Sequence, residues 1–188
     1  MKVTETSLPG VLLVEPEVYR DARGHFVETF RADRYAEAGM PGPFVQDNVS
    51  VSRKGVLRGL HLQNPSAQAK LVTALEGEIF DVAVDVRVGS PHFGRWTGAR
   101  LSADAGHQIY IPAGFAHGFC VLSDEARVGY KCDALYDPAS EMTVLWSDPE
   151  IGIDWPVAAP VLSKKDAAAL RLADIPRARL PAYPGAER

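Results

Sequence analysis

Between Arg58 and Lys70 the chain reads RGLHLQNPSAQAK, which crowds a guanidinium, an imidazole, side-chain amides and an ammonium around a glycine and a proline. A metal site, a catalytic base with its helpers and a polar turn between strands would all use such residues. A neutral imidazole is well suited to taking a proton near pH 7, and the strand-like surroundings of His61 would aim it at a pocket. Proton removal next to a carbonyl leaves an enolate, whose oxygen needs positive charge or donors held nearby. Lys70 and Arg58 are available for that. Inverting the carbon requires a second group that returns the proton on the opposite face. Tyr130, in VGYKCDALY, suits that role because a phenol is protonated at neutral pH and can donate. Taken singly, each residue has an ordinary alternative: His61 as a turn histidine, Tyr130 as an interior aromatic with its hydroxyl bonded.

The elements that must position these groups read as strands. In IFDVAVDVRVGSP, Val82, Val84, Val86 and Val88 fall on one face and Asp81, Asp85 and Arg87 on the other. This period of two predicts a strand with one dry face. Asp81 and Asp85 are expected on a solvated or hydrogen-bonded face beside Arg87, not as a catalytic carboxylate pair. Short runs rich in β-branched or aromatic residues recur at GVLLVEP, GHFVETF, AKLVTAL, HQIYIP, GFCVL, RVGYKCDALY and MTVLW, with VGSPHFG, SADAG and PAG as turns between them. Sheets with one dry face pack on each other or close, which predicts a sandwich or barrel. Helical signals are few. RADRYAEAGMPG allows a short helix before its Gly-Pro stop, and SKKDAAALRLAD offers Ser163 as an N-cap, with Asp166 in the capping-box position. Trp96, Trp146 and Trp155 are expected in the core or an interface. His25, His92 and His107 are expected in turns or facing solvent.

Composition narrows the partners. At 188 residues the chain suits a single domain, 1–188, with 174–188 as a peripheral tail running over the surface or another subunit. Its 46% hydrophobic and 23% charged residues are those of a globular protein. A net charge of -4 with scattered Lys and Arg offers no basic stripe, so nucleic acid is not expected as a partner. No apolar run resembles a signal peptide or a bilayer span, which predicts a cytoplasmic protein without a membrane partner. Cys120 and Cys132 lack disulfide or zinc spacing and are expected as reduced, buried thiols.

The segment GHQIYIPAGFAHGF, with Gly106, Pro112, Gly114 and His117 at their spacing, resembles the second motif of the cupin jelly roll. In metal-binding cupins the first motif supplies an HxH pair and a carboxylate, and the second adds one histidine. Here His61 is followed by Gln63, the carboxylate is missing and Lys70 lies downstream. An ammonium is a poor neighbour for a divalent ion. The expectation is an all-β, cupin-type double-stranded β-helix (jelly roll) with a few short, mainly C-terminal helices, no metal and no cofactor.

Seven ordered blocks extend that likeness from about Met1 to Asp166: DARGHFVETF, FVQDNVSVSRKGVLRGLHLQNPSAQAKLV, GEIFDVAVDVRVGSPHFGRW, IPAGFAHGF, YKCDALYDPASE, DPEIGIDWP and LSKKDAA. Together they resemble the dTDP-4-dehydrorhamnose 3,5-epimerase family, dimeric metal-free jelly rolls that invert C3 and C5 of a dTDP-linked 4-keto-6-deoxyhexose. The resemblance implies His61 as general base, Asp166 as its acidic partner, Tyr130 as proton donor and Lys70 as the group facing the C4 oxygen. It implies nucleotide or sugar contacts for Arg23, Glu28, Gln46, Asn48, Arg58, His117, Glu141 and Lys165. The basic residues among these suit a diphosphate. Phe26 and Tyr136 are implied as stacking partners of the thymine. Where the family commonly has Phe after the base, this chain has Leu62. The resemblance also implies a homodimer, with the N-terminal strands as the exchange region. Three alternatives remain at this level: an epimerase of one carbon only, a cupin that binds a nucleotide sugar without turning it over, and, least supported, a metal-dependent cupin oxygenase or isomerase.

Overall fold

The computed structural model describes residues 1–184. In chain order the elements are β1 (Lys2–Glu5), β2 (Leu12–Glu15), β3 (Val18–Asp21), β4 (Gly24–Val27), α1 (Ala32–Glu37), β5 (Gln46–Arg53), β6 (Leu57–Gln63), β7 (Lys70–Glu76), β8 (Glu78–Asp85), β9 (Trp96–Ser102), β10 (Gln108–Ile111), β11 (Phe115–Val121), β12 (Glu125–Cys132), β13 (Glu141–Thr143) and α2 (Lys164–Ala167). One sheet runs β1-β2-β10-β7-β12-β5, the second runs β13-β6-β11-β8-β9, and β3 and β4 form a separate hairpin. All named strand pairs are antiparallel, and most neighbours are distant in sequence, the connectivity of a jelly roll. Among the described residues no helix is long and apolar enough to cross a membrane.

Three apolar layers hold the sheets. Val72, Ala74, Ile79, Ala83, Ile109, Ile111, Phe115, Phe119 and Val128 fill the space between them. Each buried Val, Leu, Ile or Phe side chain contributes about 1.5–3 kcal/mol from removed water contact. The outer face of the second sheet, with Leu60, Leu62, Val82, Val84 and Val86, is covered by Val144, Ile151, Leu172, Ile175 and Leu180 of the C-terminal segment. On the first sheet, Leu12, Val14, Leu71 and Tyr110 pack against Tyr35 of α1 and Met40 just after it.

Of the two settings expected for the carboxylate face of β8, the structure has the hydrogen-bonded one and not the solvated one: Asp81 and Asp85 are both 0% exposed. The valine face lies under the C-terminal segment while the carboxylate face looks into the interior, so the alternation separates two buried environments. Asp85 is satisfied there by Arg87 and Ser90, and Asp81 bonds to His117. The tail is pinned as far as it is described, with Val88 N–H donating to Pro181 O and Tyr183 N–H donating to Val88 O. Residues 185–188 lie outside the described residues.

β6 and β11 approach closely, and two glycines make this possible. A Cβ on Gly59 would lie 2.5 Å from Gly118 Cα, and one on Gly118 would lie 2.8 Å from Arg58 O. Gly59 also has φ +133°, a backbone state that side chains disfavour. The contact fixes the register that sets His61 opposite His117.

Candidate active site

His61 sits within the second sheet, opposite His117 of β11 on one side and Thr143 of β13 on the other. Its Nε2 lies 2.7 Å from Asp166 Oδ1. Asp166 arrives from the first turn of α2, where the Ser163 hydroxyl accepts the Asp166 N–H at 3.1 Å. The cap belongs to Ser163, which frees the Asp166 carboxylate for the imidazole. Burial opposes its charge, but bonds from His61, Ser163 and the Gly59 N–H hold it below the ordinary carboxylate value. A charged carboxylate on Nε2 fixes that nitrogen as the N–H and leaves Nδ1 to accept a proton.

The first sheet supplies the opposite wall. Its register sets Lys70, Cys132 and Gln46 in one row across β7, β12 and β5, and Val72, Tyr130 and Asn48 in the next. Burial lowers Lys70 from its ordinary value, while the carboxyl groups of Asp81 and Glu141 favour its charged form. Burial and the neighbouring Cys132 raise Tyr130, with Arg58 opposing, so the phenol is protonated and able to donate.

Gln46, Asn48, His61, Gln63, Gln68, Lys70, Tyr130, Tyr136 and Glu141 line one cavity of about 230 Å³. A loop carrying Tyr136 forms its rim. The Tyr136 N–H donates to Gln46 Oε1 at 2.8 Å and its hydroxyl donates to Glu141 Oε2 at 2.9 Å. Glu141 in turn pairs with Lys165. Gln63 and Gln68, which sequence reasoning passed over, tie the loop down: their amides donate to Leu135 O and Ala134 O, and Gln63 Oε1 accepts from Asp137 N–H. Gln63 was legible as the next residue after His61 on the same strand face.

An imidazole on one wall, facing a phenol and an ammonium on the other, has the parts for proton-transfer chemistry at a carbon next to a carbonyl. Residues 5–174 match the family described as dTDP-4-dehydrorhamnose 3,5-epimerase. The chain belongs to the dTDP-4-dehydrorhamnose 3,5-epimerase family. It is 55% identical over 168 residues to the dTDP-4-dehydrorhamnose 3,5-epimerase of Shigella flexneri, covering 88% of this chain and 93% of that one. It is 54% identical over 169 residues to the enzyme of that name from Neisseria gonorrhoeae, covering 89% of this chain and spanning only 52% of that longer relative. Among solved structures, the Legionella pneumophila dTDP-6-deoxy-D-glucose-3,5-epimerase in complex with dTDP-4-keto-L-rhamnose superposes with a TM-score of 0.94 at 50% identity, covering 97% of this chain and 98% of that one. The fold is therefore the jelly roll of this epimerase family.

Not every residue implied by the family resemblance reaches the cavity within one chain. His117 is 7% exposed, and its Nε2 lies 2.9 Å from Asp81 Oδ2, behind the cavity lining. Arg58 is exposed, with Nε donating to Ser52 Oγ at 3.0 Å. Arg23, Phe26 and Glu28 belong to the β3–β4 hairpin region and do not line this cavity. Arg23 pairs with Asp21, Glu28 pairs with Arg34, and Phe26 is 69% exposed.

Proposed function

We propose that this pocket converts dTDP-4-dehydro-6-deoxy-D-glucose to dTDP-4-dehydro-L-rhamnose, the 3,5-epimerase step of dTDP-rhamnose biosynthesis, with His61 as the base and Tyr130 as the acid. The chain is an isomerase of its family. The observation that carries the mechanistic reading is one cavity with His61 on one wall and Lys70 and Tyr130 on the other. C3 and C5 both flank the C4 carbonyl. A single cation at the C4 oxygen therefore serves both enolates, and a base and an acid on opposite ring faces invert both carbons. His61 Nδ1 removes the proton, Asp166 stabilises the imidazolium, Lys70 faces the enolate oxygen and Tyr130 returns a proton to the other face. Arg58 and Lys165 suit the diphosphate by charge, and Tyr136 on the rim suits the nucleobase by its flat apolar ring.

Proton NMR of the protein with dTDP-4-dehydro-6-deoxy-D-glucose in deuterium oxide, with a chelator present, tests this. The reading expects loss of both the C3 and the C5 signals. Loss of one signal reduces the function to a single-carbon epimerase, and loss of neither with binding intact leaves only a binding protein.

The second part of the proposal is a homodimer. Arg23, Phe26 and Glu28 do not line the cavity of their own chain, and the outward side of the first sheet exposes Val49, Val51 and Leu75. A second copy packed there buries the apolar face and brings the hairpin residues to a neighbouring cavity. Mixing His61→Ala with Arg23→Ala protein is then expected to regain turnover that neither preparation has alone; no regain refutes shared sites. The two free, buried thiols suit the reducing cytoplasm, where we assign the enzyme.

A further inference from the structure

Besides His61, Asp166, Lys70 and Tyr130, the interior holds a carboxylate that is only partly satisfied. Asp81 is 0% exposed. Its Oδ2 is held by His117 Nε2 at 2.9 Å, while its Oδ1 is buried with no hydrogen-bond partner. A buried carboxylate oxygen left unpaired is costly, so its presence demands a counterpart. Across the interior stands a cation in the matching condition. Around the cavity His61 is hydrogen-bonded to Asp166 and His117 to Asp81, Lys165 is ion-paired with Glu141, and among the described residues no ion pair involves Lys70. Its ladder neighbours are Ile111 and Cys132, neither of which carries charge.

The groups that act on Lys70 come from three elements: Asp81 of β8, Cys132 of β12 and Glu141 of β13. His61 and Tyr130 share its cavity. Glu141 is already engaged by Lys165 and Tyr136. Burial pushes the Cys132 thiol up, so it stays neutral. Burial likewise raises the Asp81 carboxyl, with His117 and Lys70 opposing.

We propose that Asp81, clamped by His117, is a positioning residue for the epimerisation: it is the counter-ion that keeps the Lys70 ammonium charged until substrate binds and releases it to the substrate's C4 oxygen as the enolate forms. The inference rests on the role given to Lys70 above. It explains why two His–Asp pairs sit side by side on β6 and β11, one serving proton transfer and the other serving charge.

Asp81→Asn keeps an acceptor for His117 and removes a buried charge, so its melting temperature should equal or exceed that of the parent protein. Its kcat should fall about tenfold at pH 8 with KM little changed, and the alkaline limb of kcat against pH should move down by about one unit or more. Asp81→Glu should restore the limb. An unmoved limb overturns the inference, whether kcat is normal or uniformly reduced at every pH. If Asp81→Asn gives no cooperative melt, the unmodified protein labelled with 13C at lysine Cε decides. A Lys70 signal that stays in the charged form through pH 8, with a second inflection in acid where Asp81 gains its proton, supports the inference. No acid inflection overturns it. Full turnover by Lys70→Ala would instead remove the reading on which the inference rests.

Discussion

His61 and Tyr130 differ in what their removal leaves behind. Without His61 no proton is taken from either carbon, so His61→Ala should lower kcat by about 10²- to 10⁴-fold and abolish deuterium exchange at both C3 and C5, with an unchanged circular dichroism spectrum. Removing the Tyr130 hydroxyl leaves abstraction intact. In Tyr130→Phe the imidazole returns deuterium to the face from which it took the proton. Exchange should persist while formation of the inverted sugar falls, as measured by NMR of the recovered substrate. Equal loss of exchange and inversion in that variant would show that Tyr130 does not act as the acid on the second face. In the proposed mechanism Lys70 differs from both because it moves no proton, and its contribution depends on staying charged where burial favours the neutral form.

At the scale of elements, the site depends on how closely β6 and β11 approach. Gly59→Ala would put a Cβ 2.5 Å from Gly118 Cα at a backbone angle that side chains disfavour. It should lose more than about 2 kcal/mol in urea denaturation and lower kcat through the shifted His61. Much of this layer was legible in the sequence. The strand-like runs marked β2, β4, β7, β8, β10, β11, β12 and β13, and the Ser163 cap marked α2. His61, Lys70 and Tyr130 stand out by residue type and setting, whereas Asp166 reads as a helix cap until the family resemblance pairs it with the base. Three things were not legible. β5 carries polar Gln46, Asn48, Ser50 and Ser52 on its inward side, so its pattern resembles a surface loop although it walls the cavity. β8 alternates between two buried faces, which no period of two can distinguish from buried and solvated. The path of the β3–β4 hairpin is set by contacts beyond its own sequence, so the roles of Arg23, Phe26 and Glu28 do not follow from local pattern.

For the whole molecule, interior carboxylates set the response to acid. Burial opposes the charge on Asp85, but bonds from Arg87 and Ser90 hold its carboxyl below the ordinary value, as His61 does for Asp166. A carboxylate lowered in the folded state contributes stability that is complete above its unfolded value near ~4 and is lost as pH falls through the folded value. Asp81 has the opposite sign, since its raised carboxyl favours the fold on the acid side and loses that contribution as pH rises. Asp85→Asn should therefore be less stable than the parent at pH 7 and show a smaller decline between pH 5 and pH 2, read from urea midpoints across that range. The division of the site between two sheets has a further consequence. Facing sheets stand about 10 Å apart, so the interior acts as a caliper whose jaws admit one flat ring edge-on, with each jaw addressing one side of it. Handedness of the product is thus written into the architecture before any side chain is chosen. Along either jaw, moving a proton carrier by two residues shifts it about 7 Å without turning it away from the ring. Strand register is then the scale on which such a barrel can be re-marked, from inverting two carbons to inverting one.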